Sequence, residues 1–173
     1  AVGLLDGAVV LGSTSLSTEI ANPEATGAGA ANPAIGPVEG APVAWVNSEP
    51  SRLAVMTLGS AQPRDVPIAG VTAPSIDRFG VVWASSTDAP GVVWAVAPGR
   101  EPVQVPVPFD GEVAAVRVSP DGSRALLLTR GSAGSQVWLA TIRRNDVDAQ
   151  YSLEAATELD LFPAKVEALT WVG

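Results

Sequence analysis

Apolar and polar residues alternate through Ala115-Val116-Arg117-Val118, and an apolar run, Ala125-Leu126-Leu127-Leu128, follows. Between them lies Ser119-Pro120-Asp121-Gly122-Ser123-Arg124. Period-two alternation marks a half-buried strand, and the intervening residues are turn-formers. Pro120 sets φ for a central turn position, Asp121 can bond backbone two residues on, and Gly122 tolerates the positive φ that a side chain resists. Ser119 can add a hydroxyl-to-backbone bond. The segment therefore predicts a hairpin.

The unit recurs. Val43 to Val55 has a strand on each side of Ser48-Glu49-Pro50, with Ser51-Arg52-Leu53 aligned on Ser123-Arg124-Ala125. Pro74-Ser75-Ile76-Asp77-Arg78-Phe79-Gly80-Val81-Val82-Trp83 is a third copy, with Asp77 set on Asp121 and Gly80 closing the turn. Fainter copies are expected at Asp6 to Val10, as a turn and outgoing strand, and at Val166 to Val172, as an incoming strand. Aligning Ala8, Leu53, Val81 and Ala125 spaces the units by 45, 28 and 44 residues. Two of these fit the period of about 40–45 residues of a four-stranded propeller blade, and the short one implies clipped outer strands. Third strands are expected at Gly91–Val96 and Gln136–Ile142. An outer strand is expected at Val103–Val107, where prolines suit an edge. Tyr151 to Leu161 has near-helical spacing of acidic and Leu residues, but an outer strand with a loop fits the repeat better. The expected fold is all-β: a partial or truncated β-propeller of about four blades of antiparallel strands.

The 173 residues, 47% of them hydrophobic, suffice for one core, so a single domain over 1–173 is expected. An Ala/Gly/Pro-rich loop is expected over about 21–42, at the surface rather than as a partner-binding element, since it lacks aromatic and Arg anchors. No run approaches the roughly 18 apolar residues of a membrane span. Ten basic against 18 acidic residues give a net charge of −8, which argues against nucleic acid. The nearest basic groupings, Arg143-Arg144 and Arg117, Arg124 and Arg130, read as solvated side chains, with a contact patch for an acidic partner as the sharper reading.

His and Cys are absent from the chain, which removes Ser-His-Asp and Cys-His nucleophiles, imidazole and thiolate metal sites, and disulfides. Only carboxylate chemistry remains. Asp110, Glu112 and Asp121 fall near expected strand ends and could in principle support glycoside hydrolysis, but their spacing marks no pair. Asn145-Asp146-Val147-Asp148 has part of a calcium-loop pattern without its glycine and terminal Glu. Gly131–Ser135 reads as a hairpin loop, not a phosphate loop. No catalytic residue, cofactor site or metal site is assigned. Trp83, Trp94, Trp138 and Trp171 are expected to pack between blades, as is Trp45, with Trp45 and Trp171 on incoming strands. A carbohydrate-stacking platform is the other reading.

Three landmarks occur in order: Val71-Thr72-Ala73-Pro74-Ser75-Ile76-Asp77-Arg78-Phe79-Gly80-Val81-Val82-Trp83, then Val116 to Arg124, then Ala168-Leu169-Thr170-Trp171. From about Pro42 to Gly173 the chain resembles the β-propeller domain of the actinobacterial LpqB lipoprotein family. One Lys, Lys165, against nine Arg suits a genome of high GC content. The resemblance implies an extracytoplasmic accessory protein, held at the cell membrane by a lipidated Cys. It also implies a GerMN domain upstream of the propeller, and association with the extracellular sensor region of the MtrB kinase of the MtrAB two-component system. This sequence holds no lipobox Cys, signal peptide or GerMN region, so membrane attachment would come from an anchor outside it.

The expectation is a non-catalytic binding and regulatory module whose protein partner is a sensor-kinase ectodomain or its own GerMN domain. The alternatives are a carboxylate-dependent glycan-acting enzyme and a TolB-like envelope scaffold. An open set of blades would expose apolar faces and strand edges, so the isolated chain is expected to self-associate or to be marginally stable. Sedimentation and thermal melts test this, and a monomer that unfolds cooperatively would count against it.

Overall fold

The structure, a computed structural model, describes residues 2–5, 8–12, 19–20, 30–35, 42–48, 51–57, 63–131, 134–145, 147–159, 166 and 169–171. Among them every regular element is a strand, and none is a helix. β1 (Val2–Leu5), β2 (Ala8–Gly12) and β3 (Glu19–Ile20) form a three-stranded sheet. β4 (Ala30–Ile35), β5 (Pro42–Ser48), β6 (Ser51–Thr57) and β7 (Arg64–Val66) form a four-stranded one. β8 (Ser75–Ile76), β9 (Val82–Ser85), β10 (Val92–Val96) and β11 (Val103–Pro106) form the next. β12 (Val113–Val118), β13 (Arg124–Gly131), β14 (Gly134–Asn145) and β15 (Gln150–Leu159) form the last. Each sheet is an antiparallel meander in chain order, as a propeller blade is. Among the described residues each packs on the next, in an open row rather than a closed ring.

Burial follows the strand period. On β12, Val113, Val116 and Val118 are buried while Arg117 is only partly so. They meet Ala125 and Leu127 of β13, Ala140 and Ile142 of β14, and Trp83, Val93 and Val105 of the preceding blade in one apolar cluster. A second cluster joins Leu53 and Val66 to Val82 and Val96 across the blade boundary before it. The cores thus lie between blades. Adjacent inner strands are also stitched by polar bonds: Val118 N donates to Ser75 Oγ at 3.0 Å, and Arg117 Nη1 to Ala73 O at 3.1 Å.

Two expectations about phase are corrected. The Ser48–Ser51 hairpin joins β5 to β6, the second and third strands of its blade, whereas the Asp77 and Ser119 turns join first to second strands. Trp45 is therefore on a second strand, like Trp83, and not on an incoming one. Aligned on the start of the second strand, Ala8, Pro42, Val82 and Arg124 lie 34, 40 and 42 residues apart, so the 28-residue interval came from an offset and not from clipped strands.

The expected loop over 21–42 contains strand β4 at Ala30–Ile35, paired with β5, and its other residues before Pro42 lie outside the described ones. β4 escaped the pattern because it carries Asn32-Pro33, where the register shifts between Ala31 and Ala34. Proline is tolerated at such an irregularity in an end strand. Tyr151–Leu159 belongs to β15 and is strand, as preferred over helix. Asp6 and Gly7 lie outside the described residues, while Ala8–Val10 belong to β2. Of the incoming strand expected at Val166–Val172, the described residues Val166 and Leu169–Trp171 are not in strand.

Outer edges are blunted in different ways. β11 ends in Pro106, and β7 is three residues long. β15 carries a register shift opposite Leu139–Thr141, Ala155 at φ 49°, and exposed Glu154 and Glu158.

Leu127, with no exposed surface at the centre of the inter-blade cluster, should be costly to truncate. Leu127→Ala is expected to lower unfolding free energy by about 2–5 kcal/mol, seen as a reduced denaturation midpoint at unchanged m-value.

Candidate functional site

The two inner turns share a design. In each, the N–H of the fourth residue closes on the C=O of the first: Gly80 N on Asp77 O at 3.0 Å and Gly122 N on Ser119 O at 2.8 Å. Both glycines have positive φ, +75° and +71°. Asp77 therefore occupies the place of Ser119, not that of Asp121 as the sequence alignment had it. The equivalence extends to chemistry, because both side-chain oxygens cap the turn. Ser119 Oγ accepts from Arg124 N at 3.0 Å, and Asp77 Oδ1 accepts from Phe79 N at 2.9 Å and Val81 N at 3.1 Å. Pro120 and Asp121 fill the central positions of the later turn, where Asp121 accepts from Ser123 N at 3.0 Å.

Substituting a carboxylate for a hydroxyl at the first position places a charge in the core. Asp77 has no exposed surface. Its second oxygen, Oδ2, accepts from Trp83 Nε1 at 3.1 Å and from Arg144 Nη2 at 2.9 Å. A desolvated carboxylate is tolerable only when its lone pairs are filled and its charge is met, and here both conditions hold. Arg144 reaches across from the neighbouring blade. Along β14, Trp138, Ala140 and Ile142 point into the inter-blade core, and Arg144 continues that face with a side chain 14% exposed. The same Nη2 donates to Gly122 O, and the guanidinium lies 4.1 Å from the centre of the Phe79 ring. Arg144 Nη1 is buried and has no hydrogen-bond partner among the described residues.

The result is a clasp at one rim where two turns meet. A Cβ at Gly122 would come within 2.8 Å of Arg144 Nη2 and 3.2 Å of the Phe79 ring, so this glycine is required by close approach as well as by φ. Beside the clasp, Arg143, Arg144, Asn145, Gln150, Tyr151 and Ser152 line an open concavity of about 310 Å³. Trp83 adds an edge-to-face contact with Tyr151, with ring centres 5.5 Å apart.

Of the other candidates, Arg143 is solvated, pairing with Glu154 at 3.1 Å with both side chains more than half exposed. Arg124 and Arg130 are exposed. Arg144, read from the sequence as solvated, is not. Arg117 is half-buried, and that burial lowers its pKa. Trp45 and Trp83 are fully buried, and Trp94, Trp138 and Trp171 are half-buried. Trp138 stacks on Phe109 with ring centres 4.4 Å apart, and Trp171 Nε1 donates to Arg117 O at 2.9 Å. Asp110 and Glu112 precede β12 and Asp121 follows it. At about 3.3 Å per residue the strand holds Asp121 roughly 20 Å from the other two, beyond the separations used by glycosidase carboxylate pairs. Asn145 Nδ2 donates to Asp148 Oδ2 at 2.7 Å, while Asp146 lies outside the described residues. Among the described residues no cluster of acidic side chains has the makings of a metal site.

A sequence signal for Arg144 exists: its even-numbered place on the apolar face of Gln136–Ile142 assigns it inward. Phe79 had none, because a turn residue carries no face.

The chain matches the family model described as the lipoprotein LpqB beta-propeller domain, over residues 7–173. No curated protein matches it.

Two predictions follow from the clasp and its neighbouring turn. Asp77→Ala leaves the Arg144 guanidinium buried without its counter-charge and should cost about 3–5 kcal/mol in denaturant unfolding. Asp121, exposed, has its pKa lowered to about 2, first by the Ser119 hydroxyl and then by Ser123. A carboxyl depressed in the folded state stabilises above its unfolded pKa of 3.8, and that contribution is lost as pH falls towards 2. NMR titration of the Asp121 carboxyl should give the low value, and Asp121→Asn should flatten the stability profile across that interval.

Proposed function

The chain belongs to the family of lipoprotein LpqB β-propeller domains, and on that premise we propose that it is a non-catalytic binding module of a cell-envelope lipoprotein. Such a module works as a rigid surface. The observation that carries this reading is the family match together with the employment of the acidic groups. Asp77 is committed to the clasp, Asp121 to its own turn and Glu154 to Arg143. Asp121 is held apart from Asp110 and Glu112 by the length of β12. Rigidity comes from cores placed between blades, which fix each rim turn relative to the next.

The partner we propose is the extracellular sensor region of the MtrB kinase, or the upstream GerMN domain of the same lipoprotein. The location is extracytoplasmic, at a membrane to which a lipid outside this chain gives attachment. These finer assignments rest on the family.

Biolayer interferometry of the purified chain against the purified MtrB sensor region is the test. Saturable binding is the expected outcome. A flat response there with saturable binding to the GerMN domain would move the partner role to that domain, and flat responses to both would overturn the binding-module reading.

A further inference from the structure

Two large hydrophobic side chains stand exposed among the described residues, Phe79 at 49% and Val147 at 81%. They lie on the same rim. Phe79 is in the β8–β9 turn, which meets the β12–β13 turn through Gly122. Val147 is in the connection after β14, which runs parallel to β12 in the meander and so ends at the same side of the blade. Arg144, at the end of β14, lies over the Phe79 ring and joins the two. Single exposed apolar residues need no explanation. Phe79, however, is half exposed yet fixed in place, by the backbone bond of its N–H to Asp77 and by Arg144 stacked against its ring.

Charge on this rim is unequally spent. Asp77 accepts four hydrogen bonds, Asp121 is held by Ser119 and Ser123, Asp148 accepts from Asn145, and Glu154 pairs with Arg143. Arg78 is exposed, 5.6 Å from the Phe79 ring centre, and has no ion pair among the described residues. A preset aromatic beside an uncompensated guanidinium is the composition of an interface anchor.

We propose that the rim around Arg78 and Phe79, with Val147 at its margin, docks a segment of a partner protein that presents an apolar side chain next to a carboxylate. The proposal rests on the binding-module reading and names its surface. The apolar group covers the open part of the Phe79 ring. The carboxylate meets Arg78, which breaks no ion pair among the described residues to receive it.

The test uses the 15N-labelled chain titrated with the capped peptide Glu-Leu-Asp-Phe-Glu-Leu and with its counterpart in which Lys replaces each acid. Amide shifts at Arg78, Phe79, Gly122 and Val147 with the acidic peptide alone are expected. Phe79→Ala and Arg78→Glu should each weaken binding about tenfold or more. Arg78→Glu alters only an exposed side chain, so it stays informative if Phe79→Ala fails to fold. Shifts confined to other blades, equal binding of the Lys peptide, or wild-type affinity in Arg78→Glu would overturn the proposal. Equal binding of the MtrB sensor region to wild type and Arg78→Glu would also overturn it while leaving the binding-module reading intact. Rim shifts with the peptide, beside a flat response to the sensor region, would uphold the rim and remove that kinase as the partner.

Discussion

A carboxylate with no access to water must have its charge and its lone pairs met inside the protein, and Asp77 imposes that requirement on two blades at once. Its four donors come from its own turn, from the second strand through Trp83 and from the adjacent sheet through Arg144. Removing any one strands a buried polar group, which costs more than the bond itself is worth. The turn, the indole and the neighbouring strand are therefore held in a single arrangement. Apolar packing brings the blades together, but it is non-directional. The ion pair adds direction to that packing, beside the bonds from Val118 N to Ser75 and from Arg117 to Ala73.

Much of the fold was legible because alternation is a local signal. β12 and β13, the third strands around Trp94 and Trp138, and the proline-marked edge at β11 were read from period, branching and turn chemistry. Phase was less accessible. A hairpin looks alike whether it joins the first and second strands or the second and third, so the Ser48 turn was set beside turns of another rank. The strand at Ala30–Ile35 hid behind Asn32-Pro33, because a bulge admits the residues that ordinarily argue against strand.

The site was less legible than the fold, for a reason of geometry. Asp77 and Asp121 look equivalent by spacing, yet one occupies the first position of its turn and faces inward while the other sits at the third and faces water. Two places along the turn separate a buried structural charge from a solvated one. Arg143 and Arg144 divide in the same way by parity on β14. The contact between Arg144 and Asp77 spans 67 residues of sequence, and no local pattern announces it. The family match, over residues 7–173, covers both blades that this contact joins.

The blunted outer strands carry a last consequence. An unpaired strand edge is a template that any extended chain can read through its backbone, whatever its side chains. With Pro106 on β11, a three-residue β7, and the irregular, acidic β15, that indiscriminate mode of attachment is closed at each of these edges. The same devices that end each blade therefore guard against unselective strand addition between copies of the chain.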